Sequence, residues 1–293
     1  MTESWRGMGR ETLDREYNAR ATVPDIGPII AEYRARTEAA RATLPGARTD
    51  IPYGPTAAER LDIYPAAHPG PAPVFVFIHG GYWRLLDAAD SGFMAPWLTA
   101  AGACVVAVNY ALAPAAPLDE IVRQCRAALA WLHGNIARFG GDPARIHVAG
   151  SSAGAHLAAM LAAGGDWPAG FGLPPRPVAG ATLLSGLYEL EPLRLCHVNE
   201  WMRLDEATVL RNSPGLLPPP APGTPLVFSF GESETAEFKA QTVAQAEFCA
   251  GAGCIVTPVP PPAGSNHFDI VFQLCEDTPL SRATLRAMGL PAG

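Results

Sequence analysis

Six short apolar runs, each followed by turn residues, constrain this chain more than any other feature. They are PVFVFIHGG (73–81), ACVVAVNY (103–110), RIHVAG (145–150), PVAGATLLSG (177–186), PLVFSFGE (225–232) and CIVTPVP (254–260). Runs that are apolar at consecutive positions suit strands buried on both faces, as in a parallel sheet covered by helices. Segments with helical character fall between them, near 88–101, 117–138, 153–163 and 235–250, with a last pair near 267–287. The alternation predicts an α/β fold with a mostly parallel central sheet. Ahead of it, residues 10–44 read as helical, with apolar positions recurring at three and four in DIGPIIAEYRARTEAARATL. RTDIPYGPTAAERLDIYP (48–65) reads as a hairpin of edge strands. Proline-rich stretches at 168–177, 214–225 and 258–262 read as loops, since proline neither donates to a ladder nor extends a helix.

Charge and composition exclude several function classes. A net charge of -7 argues against nucleic acid, whose phosphates require a basic face. The high apolar content, 48%, argues against disorder. The N-terminal MTESWRGMGRETLDREYNAR lacks the apolar core of a signal peptide, and no run reaches the roughly 20 apolar residues of a membrane span, so the expectation is a cytoplasmic protein. The six cysteines form no C-x-x-C pair and no zinc-finger spacing, which predicts buried reduced thiols, no metal site and no cofactor. The partner expected is a small-molecule substrate, with no nucleic acid and no membrane; a homodimer is left open.

The quintet Gly150-Ser151-Ser152-Ala153-Gly154 fits G-x-S-x-G, between the apolar RIHVA and the helical AHLAAMLAA. A strand that turns sharply into a helix can raise one serine hydroxyl above the sheet. The turn strains that serine's backbone, and side chains two residues to either side would collide, so glycine is needed at 150 and 154. The helix N-terminus beneath the serine favours developing negative charge. Ser152 holds the apex and is the candidate nucleophile; Ser151 reads as a spacer.

An oxyanion needs backbone donors. Ala153, the residue after the serine, supplies one, and Gly80 and Gly81 in FIHGGYWR (77–84) supply the loop after an early strand. His79 reads as a structural residue that holds this loop. The base should follow the last strand. His267, in GSNHFDIVF (264–272), fits that place and is expected to open a helix, whereas His156 lies on the helix just after the elbow, four residues past Ser152, and His197 lies in a segment with no adjacent strand end. The acid should lie in GESETAEF (231–238). Glu234, at the tip of the turn, is the choice; Glu232 is its rival, and Glu237 should already be helical. The acid orients the imidazole and stabilises its charge without taking the proton.

With these residues in place, the chain resembles the α/β-hydrolase superfamily on its hormone-sensitive-lipase-like side, through HGGYW (79–83), VNYALAP (108–114), FGGDPARIHVAGSSAGAHLAA (139–159) and NHFDIV (266–271). More narrowly it is similar to the serine-type arylformamidases, or kynurenine formamidases, and related bacterial esterases. SGLYELEPL (185–193), the EF and Q of AEFKAQT (236–242), and LDREYNARATVPD (13–25) add to that likeness. The resemblance implies an α/β-hydrolase fold in one domain, with residues 1–50 as an N-terminal helical segment and candidate cap, and 51–293 as the catalytic part. It implies Ser152, Glu234 and His267 as the triad, although arylformamidases usually carry aspartate where Glu234 stands. It also implies that Tyr82 and Trp83 line the acyl side of the pocket and Tyr188 the aromatic side. Arg84 and Arg203 are candidate partners for an amino-acid carboxylate.

The function expected is a metal-independent serine hydrolase that cleaves a small aryl formamide, such as N-formylkynurenine, through an acyl-enzyme. The alternative is a carboxylesterase on short-chain acyl or aryl esters, which shares every catalytic residue. The remote alternative is a non-catalytic binding protein on a hydrolase scaffold.

Overall fold

The computed structural model describes residues 4–292. Eight strands form one sheet in the order β1-β2-β4-β3-β5-β6-β7-β8. Their ranges are β1 (Arg48–Pro52), β2 (Arg60–Tyr64), β3 (Ala72–Ile78), β4 (Cys104–Val108), β5 (Gly141–Ser151), β6 (Gly180–Leu184), β7 (Pro225–Ser229) and β8 (Ile255–Pro258). The β1–β2 and β2–β4 pairs are antiparallel; every other pair is parallel. The predicted hairpin therefore supplies one edge strand, β1, whereas β2 is interior because it pairs with β4 on its other side.

Helices α1 (Arg10–Glu16), α2 (Gly27–Thr43), α3 (Ala95–Ala100), α4 (Leu118–Asn135), α5 (Ala153–Ala162), α6 (Glu191–Arg194), α7 (Asn199–Met202), α8 (Glu206–Asn212), α9 (Ala236–Gly251) and α10 (Pro279–Ala287) complete the fold. The central strand shows why the apolar runs are continuous. All residues of β3 are buried. Val74, Val76 and Ile78 pack into one core with residues of α4, α5 and α9. Phe75 and Phe77 point the other way, into a second core with Tyr33 of α2, Leu98 of α3 and Leu280 of α10. Alternate side chains go to opposite faces, and here both faces are covered.

The N-terminal segment is tied to the body by polar as well as apolar contacts. Arg34 of α2 pairs with buried Asp90 at 2.8 Å, Arg41 Nε donates to Asp62 at 3.0 Å, and the Tyr33 hydroxyl donates to the Phe268 carbonyl. The predicted helix over 10–44 is broken by a 3-10 turn at Ala19–Thr22. Three helices, α6 to α8, were not anticipated; two of them are only four residues long, too short to show a period.

Two histidines of the core make stability depend on pH. His147 Nε2 lies 2.9 Å from the Thr182 hydroxyl, and His156 Nε2 donates to the Asn212 carbonyl at 2.7 Å. Burial pushes them down to about 3 and about 4 respectively. Their folded-state values lie below the roughly 6.5 of an unfolded histidine. This contribution to stability is whole above about pH 6.5 and is lost as pH falls, because the unfolded chain binds protons that the fold refuses. The expected loss between pH 6.5 and 5 is up to about 1.4 kcal/mol per pH unit for each histidine. Urea unfolding at pH 7, 6 and 5 measures it. The His147→Gln variant should show a shallower slope; an unchanged slope would assign the acid sensitivity elsewhere.

Candidate active site

The β5–α5 junction is built as the small residues require. Ser152 sits at φ 58°, ψ -123°, a region that costs a non-glycine residue about 1–3 kcal/mol. A Cβ on Gly150 would lie 2.3 Å from the Gly154 carbonyl group, and one on Gly154 would lie 2.0 Å from the Ile78 oxygen. The turn is therefore closed to larger residues at both positions. Ser152 follows the last residue of β5, and the first residue of α5 is Ala153. As the first residue of a helix, Ala153 has an N–H with no partner inside the helix. The Ser152 hydroxyl makes no hydrogen bond to protein among the described residues.

The loop after β3 lies directly over this serine. A Cβ on Gly80 would come within 2.7 Å of the Ser151 oxygen and 3.3 Å of the Ser152 Cβ, so only glycine permits the approach. Gly81, Tyr82 and Trp83 follow with φ of 90°, 50° and 57°. The turn closes as Arg84 and Leu85 donate N–H bonds to the Gly81 carbonyl at 3.0 and 3.1 Å. The N–H groups of Gly80, Gly81 and Tyr82 find no protein acceptor among the described residues. His79 stiffens the loop from below: its ring stacks on Tyr110 at 4.1 Å, its Nδ1 lies 3.0 Å from the Gly80 oxygen, and burial pushes it below the ordinary histidine value.

Parallel pairing brings the C-terminal ends of β5, β7 and β8 to one end of the sheet. There the loop after β7 presents Glu234, and the loop after β8 presents His267. Nδ1 of His267 lies 3.2 Å from Glu234 Oε2. The contact is close but poorly aligned, and neither atom has a competing partner. Glu234 Oε1 accepts from the Ser185 hydroxyl and the Gly231 N–H, both at 2.5 Å. Burial alone would push the Glu234 carboxyl up; the His267 ring, the Ser185 hydroxyl and the Gly231 amide outweigh it and hold the group below the usual range. Glu232 is exposed and accepts instead from the Gly264 N–H at 2.6 Å. His267 lies in a turn, three residues before the 3-10 helix Ile270–Leu274, and so does not open a helix. Its ring packs 4.5 Å from Phe238 and 5.2 Å from Phe268.

These groups open onto a cavity of about 900 Å³, lined by Ser152, His267, Gly80, Gly81 and Tyr82. The N-terminal segment supplies one side through residues such as Asn18, Ile26, Ile30 and Tyr33. Phe93 and Phe268 add further aromatic surface.

Two expected wall residues lie elsewhere. The Trp83 side chain is fully buried and packs edge-on against His156 at 5.1 Å. Consecutive left-handed residues turn it inward while Tyr82 stays on the cavity. Tyr188 is also buried: it packs on Phe228 at 6.3 Å and fills the space beside Gly186, where a Cβ would meet its ring at 2.2 Å. Arg203 does not line the cavity, whereas Arg84 does. Sequence reasoning missed Ser185, Trp201 and the wall role of His197. It also missed the reason for glutamine at 241: Gln241 Oε1 accepts the Tyr188 and Glu189 N–H groups at 2.6 and 2.8 Å, and its Nε2 donates to the Tyr17 hydroxyl at 2.9 Å. That one side chain ties α9 to the segment before α6 and to the N-terminal segment.

Comparison with known proteins agrees with this architecture. The family model described as BD-FAE matches residues 61–167. The putative thioesterase of Silicibacter sp. TM1040 superposes with a TM-score of 0.77 at 24% identity, covering 92% of this chain and 96% of that one. Esterase LipW of Mycobacterium marinum superposes with a TM-score of 0.68 at 24% identity over 96% of each chain. These likenesses establish an α/β-hydrolase fold. Among curated relatives, the kynurenine formamidase of Danio rerio is 31% identical over 97% of this chain and 98% of its own length. That of Salmo salar is 32% identical over the same shares. Identity of this order along almost the whole of both chains places this hydrolase in the kynurenine formamidase family.

Proposed function

We propose that the protein hydrolyses a small aryl formamide of the N-formylkynurenine type, with Ser152 as nucleophile, His267 as general base and acid, and Glu234 as the group that orients His267. The observation that carries this reading is that His267, whose Nδ1 lies 3.2 Å from buried Glu234, lines the same cavity as the strained Ser152. Ser152 Oγ attacks the formyl carbon as His267 Nε2 takes its proton. The carbonyl oxygen becomes an oxyanion held by the amides of Gly80, Gly81 and Ala153, each worth about 3–4 kcal/mol in such a hole. Collapse breaks the C–N bond; His267 gives its proton to the departing arylamine. Water, activated by the same imidazole, then releases formate and restores Ser152.

Tyr82, on the cavity beside the oxyanion turn, supports selection of a small acyl group by limiting the room there. Trp83 has no part in it. The aromatic surface of Tyr33, Phe93 and Phe268 supports an aryl leaving group. Short-chain esters fit the same machinery, and the esterase LipQ of Mycobacterium tuberculosis is 31% identical over 64% of this chain. Six free cysteines support a reducing compartment such as the cytoplasm. Among the described residues no helix is long and apolar enough to cross a membrane.

A serine-reactive fluorophosphonate tests the assignment independently of substrate choice. It should label Ser152 at one equivalent and abolish formate release from N-formylkynurenine in parallel. Formate release that survives complete labelling, or label on another serine, would overturn the assignment.

A further inference from the structure

We propose that Asp14, Cys196 and His197 form a binding site for a zinc-like divalent ion that clamps α1 to the turn between α6 and α7. The site is independent of the hydrolase reading above, since the ion takes no part in the chemistry at Ser152.

One donor atom from each of the three side chains lies within 4.8 Å of the other two. Nδ1 of His197 is 3.3 Å from Asp14 Oδ1. Nitrogen and oxygen ligands about 2.0–2.1 Å from a tetrahedral zinc stand about 3.3 Å apart, and a thiolate sulfur stands about 3.6 Å from either. Little more than about 1 Å of side-chain movement therefore closes the set. The ring and the carboxylate are not joined by an aligned hydrogen bond; Asp14 Oδ1 accepts instead from the His197 backbone N–H, which fixes that oxygen beside the ring. Cys196 is fully buried, and its sulfur makes a weak contact to the Leu193 carbonyl at 3.6 Å. Ordinary packing accounts for a buried cysteine. It does not account for the convergence on it of the adjacent imidazole and a carboxylate that stands 183 residues before that imidazole. That separation is also why local cysteine and histidine spacing pointed to no metal site.

Donor chemistry selects the ion. Sulfur, imidazole and carboxylate together suit zinc and disfavour magnesium and calcium, which take oxygen donors. A thiolate and a carboxylate also neutralise the dication, as a half-buried site requires. Burial pushes the Cys196 thiol up to about 12; a coordinated cation overrides this, because a metal-bound thiol is deprotonated. On binding, the ion sheds water, forms one bond each to sulfur, nitrogen and oxygen, and releases the thiol proton to solvent. Water keeps the fourth place. Arg10 Nε, 3.4 Å from the other Asp14 oxygen, orients the carboxylate from outside, and its charge is shared with Glu200 at 2.7 Å. Asp14 lies on α1, shortly before Asn18, and Asn18, Ala19, Arg20 and His197 all line the catalytic cavity. The ion would thus brace one wall of that cavity against the body of the protein.

The test is direct binding to chelator-dialysed protein, which does not depend on turnover. Zinc chloride titrated calorimetrically should bind at one equivalent with a Kd of about 1 µM or below, weaker than four-ligand structural sites. Cobalt chloride should give a thiolate-to-metal charge-transfer band in the near ultraviolet, and Cys196→Ser should lose it. Cys196→Ser and Asp14→Asn should each weaken zinc binding by about 100-fold or more, since loss of a group that only supports a ligand already costs about 10- to 100-fold. Asp14→Asn changes one atom on a partly exposed helix, so it reports even where Cys196→Ser fails to fold. Zinc at about 100-fold above the wild-type Kd should raise the wild-type Tm by about 5 °C and that of Asp14→Asn by less than about 1 °C. His267→Gln should bind zinc as the wild type does. A wild type without the charge-transfer band, zinc binding that survives Asp14→Asn, or binding that is lost in His267→Gln would each overturn the site. A wild-type Tm that does not rise at saturation would overturn the clamp.

Discussion

Replacement of Ser152 by alanine should lower kcat on a formyl arylamine by about 10⁵-fold or more, the scale seen when a triad nucleophile is removed. That is roughly 7 kcal/mol of lost transition-state stabilisation. The size follows from the geometry. The Ser152 hydroxyl has no protein partner that fixes it in another role, and its backbone is held at φ 58° by a turn that tolerates only glycine on both sides. No neighbouring hydroxyl can replace it: Ser151 belongs to β5, one residue before the apex. Ser151→Ala should keep most of the activity. The residual rate of Ser152→Ala should still exceed that in water, because the oxyanion amides remain. Retention of more than about a tenth of the wild-type rate would remove Ser152 from the mechanism, since removing a triad nucleophile costs far more than that.

Glu234→Gln should cost about 10⁴-fold in kcat, as an acid-to-amide change does in a triad that depends on the imidazole tautomer. The direction can be read from the hydrogen bonds. The Gly231 N–H can only donate, so the carboxylate position it meets must become the amide oxygen. The amide NH₂ then takes the place of Oε2, 3.2 Å from His267 Nδ1. Nδ1 must accept from it, so the ring proton moves to Nε2, and that nitrogen can no longer take the Ser152 proton. Glu232→Gln should remain within about twofold of wild type, because Glu232 is exposed and its side-chain oxygen can still accept from Gly264. The reverse order, with Glu232→Gln the worse enzyme, would move the acid to Glu232 and break the link between the 3.2 Å contact and catalysis.

The parts of the molecule legible in its sequence are those where one physical demand dominates. A strand buried on both faces draws apolar residues to consecutive positions, so β3 to β7 announced themselves, although buried His147 and Thr182 interrupt the pattern and satisfy each other at 2.9 Å. A serine at a strained apex must have glycine on either side, so the β5–α5 turn was visible from five residues. The other features depend on chain direction in space. Trp83 is an aromatic residue in an aromatic loop, and only its φ of 57° decides that it points into the core while Tyr82 faces the cavity. Ser185 stands 49 residues before the carboxylate it supports. A signal for it did exist: the end of β6 is adjacent to β7 in a parallel sheet, so the residue after β6 lies beside the acid loop. Helices α6 and α7 escaped notice because one helical turn cannot show a period. The position of α2 across the cavity was beyond the helix's own sequence, since it is fixed by remote partners such as Asp62, Asp90 and the Phe268 carbonyl.

The formamide assignment is tested most directly by kcat/KM on N-formylkynurenine and on p-nitrophenyl acetate, measured side by side with Ser152→Ala as the blank. The expected result is a preference for the formamide of about 100-fold or more, which corresponds to roughly 2.7 kcal/mol between the two transition states. A ratio near unity, or one that favours the ester, would contradict it and make the protein an esterase that uses the same three residues.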